Sequence, residues 1–546
     1  MTLLRRNYVQ PMIVEQEETM GNWDCTKEDT WRDVMEWRAR VWVNKLAVVS
    51  PQTEKQYTFG EFNLLVNQIA NALLKLGAKK GDRVALIGPD LPEFLAVTMT
   101  CKAGIVPTPI NWRLKADELT YVINDCGARI IFVGQQYADG VKAIQSRTPD
   151  VKHYVCLDGR RPDMPSFDEF IAGSSPDEPG VDVFPEDMLA IIYTSGTTAL
   201  PKGVVKKNRD ALAMMRLING LGQIRHDDRI LGLYPLFHAG LVHASFVSYM
   251  FTATQWILQR FDPEAVLQTI DRYKITNLML VPTMLIRLMD HPTRPKYDLS
   301  SLRSIVYTGS PMPVEQMRRA MEIFGPVLYQ GFGMTEGGGQ MSLTTADHIL
   351  ALKDPSKQHL LKSVGKCLPG CEMRLVDDND NDVKPGEIGE IVFRSRAMID
   401  GYWNKPKESA ELLRNGWLHT GDMGRLDEDG YLYIVDRKKD VIVSGAEKIP
   451  SKEVEDVIYQ FPVAEVAVIG VPSKEWGEEV KAIVVPKEGV PTTPEAIIKF
   501  CNERLSGFKR PRSVEIWKEL PKNPTGKILK RDIREKFWAG QEKRVS

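Results

Sequence analysis

Residues 193–203 read Tyr193-Thr194-Ser195-Gly196-Thr197-Thr198-Ala199-Leu200-Pro201-Lys202-Gly203. An apolar, β-branched run at 189–193 leads into this string, so it reads as a loop leaving the end of a buried strand. It concentrates hydroxyls, glycine and one lysine. Hydroxyls and exposed backbone N–H groups donate to phosphate oxygens, glycine lets the backbone come close, and Lys202 supplies charge. The order is not that of a Walker A loop, GxxxxGK[ST]. A Ser/Thr/Gly loop is most often plain surface, but the whole string points to phosphate.

Outward from this loop, short apolar runs recur at 83–87, 129–133, 154–157, 189–193, 230–233, 277–281, 304–307 and 327–330. Helical patterns lie between many of them. In the clearest, Phe62, Leu65, Val66, Ile69, Ala70 and Leu73 share one face, Thr58 and Glu61 have capping-box spacing, and Gly77 can end the helix. Alternating strands and helices predict α/β layering with largely parallel sheets. The texture changes after about residue 365. Runs at 390–394 and 431–435 are separated by Pro385-Gly386, Asn415-Gly416 and Asp429-Gly430, which predicts an antiparallel β subdomain. The charged run Asp436-Arg437-Lys438-Lys439-Asp440 follows. Beyond it lies a compact α+β pattern of roughly 100 residues, with Thr493-Pro494 opening a helix. The expectation is a large N-terminal domain of layered α/β subdomains plus a β subdomain over 1–436. A hinge follows at 437–440, then a small mobile α+β C-terminal domain over 441–546.

The chain has 546 residues and a formal net charge of −1, which argues against a nucleic-acid binder. Its 43% hydrophobic and 26% charged content suits a folded globular protein. The seven cysteines are scattered without a CxxC pair, which favours a reducing compartment over a disulfide framework. Cys367 and Cys371 lie four apart, but nothing nearby completes a zinc set, so they are expected as small buried apolar residues. The N-terminal stretch has no sustained apolar run of a signal peptide, and the C-terminal EKRVS is neither a peroxisomal tripeptide nor a prenylation box. Residues 230–259 carry no Asp, Glu, Lys or Arg, yet Pro235, His238, Gly240 and Gln255 favour a buried strand–loop–helix over a membrane span.

Further motifs follow the opening loop in order. They are Pro235-Leu236-Phe237-His238-Ala239-Gly240, Thr308-Gly309-Ser310-Pro311 and Gln330-Gly331-Phe332-Gly333-Met334-Thr335-Glu336. Next come His419-Thr420-Gly421-Asp422 and the charged run from Arg437. Ser444-Gly445-Ala446-Glu447 and Asn523-Pro524-Thr525-Gly526-Lys527-Ile528-Leu529 complete the series. Two strand-end loops of small residues make a crevice, and Phe332 offers a stacking face. A carboxylate can accept two ribose hydroxyls, and an arginine can steady ribose or phosphate. A lone His238, Thr335-Glu336 pair or Lys527 would carry little information.

In this order, over about residues 30–538, the motifs resemble the adenylate-forming superfamily of acyl- and aryl-CoA synthetases, luciferases and peptide-synthetase adenylation domains. Fatty-acyl-CoA and aryl-CoA ligases are the nearest pattern. The resemblance implies that Thr194, Ser195, Gly196, Thr197, Thr198 and Lys202 bind phosphate, and that His238 lies beside the substrate carboxylate. It implies adenine between the Gly309-Ser310-Pro311 loop and Gln330-Gly331-Phe332-Gly333-Met334. Thr335 would contact phosphate and Glu336 would hold Mg²⁺. Asp422 and Arg437 would hold ribose, Lys439 would be the hinge, Gly445 would line the pantetheine tunnel, and Lys527 would bridge carboxylate and α-phosphate. Departures are Ala199 in place of a third glycine, Asn208 in place of histidine, Phe332 in place of tyrosine, and Ala446, Lys448, Pro450 and Ser451 after the hinge.

The implied enzyme is an acid–thiol ligase using ATP, Mg²⁺ and coenzyme A on a small carboxylic acid. It would be cytoplasmic, bind no nucleic acid and have no transmembrane segment, with peripheral membrane contact compatible with a fatty substrate. If Gly337, Gly338, Gly339, Gly309, Ala239 and Gly240 line the acyl pocket, it has room for a medium or long fatty chain, or for an aryl group. The other reading is that these glycines serve backbone turns. Loading of a separate carrier protein, a luciferase-like oxygenase and a non-catalytic nucleotide-binding protein are the rival readings.

Overall fold

The helix Phe59–Lys75 shows how the sequence pattern becomes structure. The Glu61 N–H donates to the Thr58 hydroxyl at 3.2 Å, and the Thr58 N–H donates to the Glu61 carboxylate at 2.8 Å. This reciprocal cap satisfies two donors that the first turn leaves open. Phe62, Leu65, Val66, Ile69, Ala70 and Leu73 are buried, while Leu64 faces solvent. Each large apolar side chain so buried contributes about 1.5–3 kcal/mol. Gly77 follows at φ +89°.

The computed structural model describes residues 28–194, 200–310, 312–337, 339–445, 447–522 and 528–539. All eight anticipated apolar runs are strands, with ends moved by a few residues at most. They build a large N-terminal α/β domain around two main sheets. One has four parallel strands in the order Val106–Pro109, Arg83–Ile87, Ile130–Val133, His153–Cys156. The other has nine strands. Its parallel centre runs Leu328–Gly333, Ser304–Thr308, Asn277–Leu280, Arg229–Gly232, Thr254–Trp256, Leu46–Ser50. Its edges are antiparallel, with Gln340–Leu343 and Lys366–Cys367 on one side and Lys55–Thr58 on the other. Short connections explain the pairs Leu328–Gly333 with Gln340–Leu343 and Leu46–Ser50 with Lys55–Thr58, because only antiparallel neighbours can be joined without a long crossover.

The string at 193–203 joins two strands of a separate hairpin, Met188–Thr194 and Lys202–Lys207. Arg229–Gly232 leads through a loop into the helix Ala239–Met250, as anticipated. Among the described residues no helix is long and apolar enough to cross a membrane.

The β subdomain is antiparallel, built from Cys371–Val376, Gly389–Ser395, Trp417–Leu426, Leu413–Arg414 and Leu432–Arg437. After a short turn at Lys438–Asp440, a small α+β domain carries its own five-stranded sheet and the helices Ser451–Ile458, Pro494–Asn502 and Lys530–Trp538. Thr493 caps the second helix, its hydroxyl accepting from the Ala496 N–H at 3.2 Å. Ile449, Val454, Ile458, Val468, Ala482 and Ile497 form a core within this domain.

The described cysteines carry free thiols; Cys101, Cys126, Cys156 and Cys501 are buried. Cys367 and Cys371 are half-buried instead, against the expectation of burial, because they flank a turn at a sheet edge. Cys25 lies outside the described residues.

Candidate active site

Four neighbouring parallel strands, Arg229–Gly232, Asn277–Leu280, Ser304–Thr308 and Leu328–Gly333, release the loops that carry His238, Gly309 and Glu336 at their carboxyl ends. Thr308 pairs with Gly331 in register, so the Gly309 loop and Phe332 emerge side by side. Such strand-end crevices are where open α/β sheets take ligands. Gly309 has φ +90°, and the nearest atom to a Cβ built there is a Val281 methyl at 3.6 Å. Ser310 is exposed. Phe332 is half-buried, its ring 6.4 Å from that of Phe393 in the β subdomain. Phe393 lies in the strand paired with the one that carries Asp422.

The phosphate-type hairpin meets the acidic motif through a residue that the sequence did not single out. Lys202 Nζ stands 5.0 Å above the Tyr402 ring, and the Tyr402 hydroxyl donates to Glu336 Oε1 at 2.7 Å. The backbone joins them as well: the Trp403 N–H donates to the Gly203 carbonyl at 2.8 Å, and the Ile399 N–H to the Glu336 carbonyl at 3.3 Å. Thr194 ends the first hairpin strand, with its hydroxyl 3.5 Å from the Lys202 carbonyl. Ser195, Gly196, Thr197, Thr198 and Ala199, together with Pro311, Gly338, Ala446 and Lys527, lie outside the described residues.

Behind Glu336 sits Lys206, fully buried and without a hydrogen-bond partner for its ammonium among the described residues. Burial pulls its pKa down, while the charges of Asp210 and Glu336 pull it up. Asp210 caps the helix Asn208–Gly222, accepting from the Lys207 N–H at 3.1 Å. Burial pushes the Asp210 carboxyl up to about 6, against the pull of Lys206. Asn208, in the usual histidine position, is buried. Its side-chain Oδ1 accepts from the Trp31 N–H at 2.8 Å and its side-chain Nδ2 donates to the Asp187 carbonyl at 3.1 Å.

His238 caps the helix Ala239–Met250, its Nδ1 accepting from the Gly240 N–H at 3.0 Å. That bond leaves the other ring nitrogen to carry the proton in the neutral ring. The imidazole stacks on Tyr234 at 5.8 Å. It keeps a face to solvent, yet the crowding protein lowers its pKa. Asp90 accepts from the Leu236 N–H of the same loop at 2.7 Å, and burial pushes its carboxyl up to about 8. Sequence reading missed Asp90, Lys206 and Tyr402, none of which stands in a motif quoted above.

Other anticipated residues divide in two groups. Asp422 and Arg437 face one another across paired strands, Oδ1 to Nε at 3.5 Å. Met334 packs beside Val204, Ile399 and Leu418, and Thr335 is half-buried in the turn that follows. Gln330, by contrast, turns its side chain inward, its Oε1 accepting from the Tyr307 hydroxyl at 3.2 Å, so only its backbone can face a ligand. Gly333 is closely covered by the Gln340 side chain. Lys439 is exposed in the turn Lys438–Asp440. Gly445, at φ +65°, lies within the small domain against the Trp476 ring.

Gly337 and Gly339 decide between the two readings of the glycine run. Gly337 has φ +85°, and a Cβ there would meet the Ala397 carbonyl oxygen at 2.2 Å. A Cβ at Gly339 would meet the Phe393 ring at 2.2 Å. Both serve tight backbone packing.

The AMP-binding enzyme model matches residues 35–403, and the AMP-binding enzyme C-terminal domain model matches residues 453–527. A feruloyl-CoA synthase of Amycolatopsis sp is 35% identical over 488 residues, covering 88% of this chain and 94% of that protein. A long-chain-fatty-acid–CoA ligase of Mycobacterium tuberculosis is 33% identical, covering 92% and 97%. The structure of ATP-bound MatB from Rhodopseudomonas palustris superposes with a TM-score of 0.83 at 28% identity, covering 94% of this chain and 100% of that one.

Proposed function

Because the chain belongs to the AMP-binding enzyme family, we propose that it is an AMP-forming carboxylate–CoA ligase that works through an acyl-adenylate. The observation that carries this is the crevice in which Tyr402 joins the base of the phosphate hairpin to Glu336. A carboxylate oxygen attacks the α-phosphorus of ATP and pyrophosphate leaves. The thiolate of coenzyme A then attacks the acyl carbon and AMP leaves.

The first step brings two anions together, so cationic and N–H donors must offset their repulsion. Lys202, Thr194 and the residues 195–198 would bind the phosphates, with Thr335 beside them. Lys527 would bridge carboxylate and α-phosphate. Phe332, Gly309, Ser310, Pro311 and the backbone of Gln330, Gly331, Gly333 and Met334 would frame adenine. Asp422 and Arg437 would hold ribose. His238, held as a neutral cap, would sit by the substrate carboxylate. The Glu336 carboxylate is a hard oxygen donor whose Oε1 is fixed by Tyr402, and a single such ligand suits Mg²⁺, which takes most of its remaining oxygens from substrate phosphates and water. Bound there, Mg²⁺ would neutralise phosphate charge. Residues 437–440 would be the hinge between domains 1–436 and 441–546, with Lys439 as pivot and Gly445 delivered to the thioester site. The free cysteines fit a reducing, cytoplasmic setting.

For the acid, we propose a medium- or long-chain fatty acid. An aryl acid is the second reading, favoured by the similarity to a feruloyl-CoA synthase; the closed packing of Gly337 and Gly339 favours neither acid. The test is AMP release from ATP and Mg²⁺ across fatty and aromatic acids, with and without coenzyme A. Coenzyme-A-dependent turnover confined to fatty acids is the expected result. Turnover confined to aromatic acids would replace the substrate assignment. Pyrophosphate exchange with no coenzyme A turnover would overturn the acceptor and point to a carrier protein.

A further inference from the structure

Cys367 and Cys371 flank Leu368-Pro369-Gly370, the turn that carries the chain from the edge of the nine-stranded sheet into the β subdomain. The Cys371 N–H donates to the Leu368 carbonyl at 3.2 Å, and Gly370 takes φ +93°, so the chain doubles back on itself. This brings the two side chains together. The Cys367 thiol donates to the Cys371 carbonyl oxygen, Sγ to O at 3.5 Å, which places it against the residue that carries the second thiol. Both are half-exposed, whereas the other four described cysteines are buried. Their mutual contact makes the thiols unequal. The nearness of Cys367 lowers the Cys371 thiol, and the nearness of Cys371, with burial, pushes Cys367 up. Two half-exposed cysteines held together by a tight turn, one with its thiol lowered, are the arrangement of a reactive and a resolving cysteine.

We propose that Cys367 and Cys371 are a redox modification site that closes to a disulfide on reaction with hydrogen peroxide. The Cys371 thiolate attacks one peroxide oxygen, the O–O bond breaks and hydroxide leaves, giving a sulfenic acid. The Cys367 sulfur then attacks the Cys371 sulfur; the S–O bond breaks, and hydroxide takes up the Cys367 proton as water. Two thiols lose two electrons in all, and the peroxide gains them. A dithiol or glutathione reverses the change by exchange.

The turn also reaches the proposed nucleotide wall. Cys367 pairs with Met341, Met341 pairs with Phe332, and Cys367 and Phe332 pack against the same small apolar cluster. Closing the bridge therefore strains the strand beside Phe332 and weakens ATP binding. This part rests on the nucleotide reading of Phe332; the chemistry at sulfur does not.

The experiment treats the full chain with hydrogen peroxide, alkylates remaining thiols, and reads the tryptic peptide that runs from Cys367 to Arg374 by mass spectrometry. The expected result is an intact peptide lighter by two hydrogen atoms, unlabelled, and restored by dithiothreitol. Cys367→Ser should leave a Cys371 sulfenic acid that dimedone captures, and Cys371→Ser should leave Cys367 in its thiol form. Equal alkylation of both cysteines before and after peroxide would overturn the proposal, as would sulfinic acid at Cys371 with no bridge in the wild-type protein. ATP titration of the oxidised protein should show a severalfold weaker Kd, with Cys367→Ser unchanged by peroxide. A bridge that forms without changing ATP affinity would overturn the reach to Phe332 and leave the site standing.

Discussion

Tyr402 meets a cation on its face and an anion at its hydroxyl, Lys202 and Glu336 respectively. Tyr402→Phe keeps the ring and deletes the bond to Glu336. A hydrogen bond to a charged group is worth about 1.5–3 kcal/mol, so the adenylation half-reaction should fall roughly tenfold or more, most severely at low Mg²⁺. Pyrophosphate exchange against Mg²⁺ concentration reads this, and an unchanged rate would sink the linkage. The sequence could not announce Tyr402, because its role comes from a chain crossing that joins residues far apart in sequence. Lys206 escaped for a related reason, since Val204-Val205-Lys206-Lys207 reads as an ordinary strand end until the fold buries the first lysine. Gln330 shows the converse. It stands inside a legible motif, yet strand alternation turns its side chain to Tyr307.

Buried charge ties elements together elsewhere in the molecule. Lys102, in the turn Met99–Ala103, is fully buried. Its Nζ donates to Asn63 at 2.7 Å and Asn67 at 2.9 Å, both on the helix Phe59–Lys75, and lies 2.6 Å from Glu178. Lys102→Met takes the donor from two amide oxygens and the countercharge from a carboxylate that then keeps only the Asn63 and Asn67 amides. Breaking a buried pair costs about 3–5 kcal/mol, and urea unfolding should show a loss near the lower end; a midpoint shift too small to resolve would refute the tie. In the strand Gly389–Ser395, burial by itself would raise the Glu390 carboxyl. His419 and Lys438, at 3.4 and 3.1 Å, instead hold it at about 2 against an ordinary 4.5. A depressed carboxyl contributes stability that is complete above 4.5 and lost as pH falls toward 2. The Tm difference between wild type and Glu390→Gln should therefore shrink through that window, and a constant difference would contradict the pairing. Four of the six strands in the parallel centre of the nine-stranded sheet were legible from apolar runs; Leu46–Ser50 and Thr254–Trp256 were not, and nor was Val106–Pro109. Its two prolines argue against a strand, and the structure accommodates them at a sheet edge, where an N–H is dispensable.

At the scale of the whole chain, a large and a small domain were legible from the compact α+β pattern that follows the charged run, because that pattern carries apolar residues enough for a core of its own. The contacts that set the small domain against the large one were not. Asp436, in the last strand of the β subdomain, accepts from the Ser451 hydroxyl at 2.7 Å, and Arg534 donates to the Lys439 carbonyl at 2.9 Å. A rotation about Lys439 has to release such contacts. Lys439→Pro fixes φ where turning is needed, so thioester formation should fall while adenylation persists. Lys527→Ala should do the reverse, cutting adenylation by orders of magnitude while thioester formation from supplied acyl-adenylate survives. Separate assays of the two half-reactions decide this, and equal losses in both variants would defeat the assignments. The nine-stranded sheet has a consequence of another kind. Thr254 donates to the Leu46 carbonyl across a separation of 208 residues, and Val48 pairs with Gln255. The four-stranded sheet lies wholly between them in sequence and can complete itself first. As the chain leaves the ribosome, the hairpin of Leu46–Ser50 and Lys55–Thr58 therefore waits with an open edge, a surface that invites chaperone capture or mispairing. Nascent chains stalled before Thr254 should already protect residues 83–156 from protease while 46–58 is still cut, and equal protection of both would show that the hairpin finds another partner first.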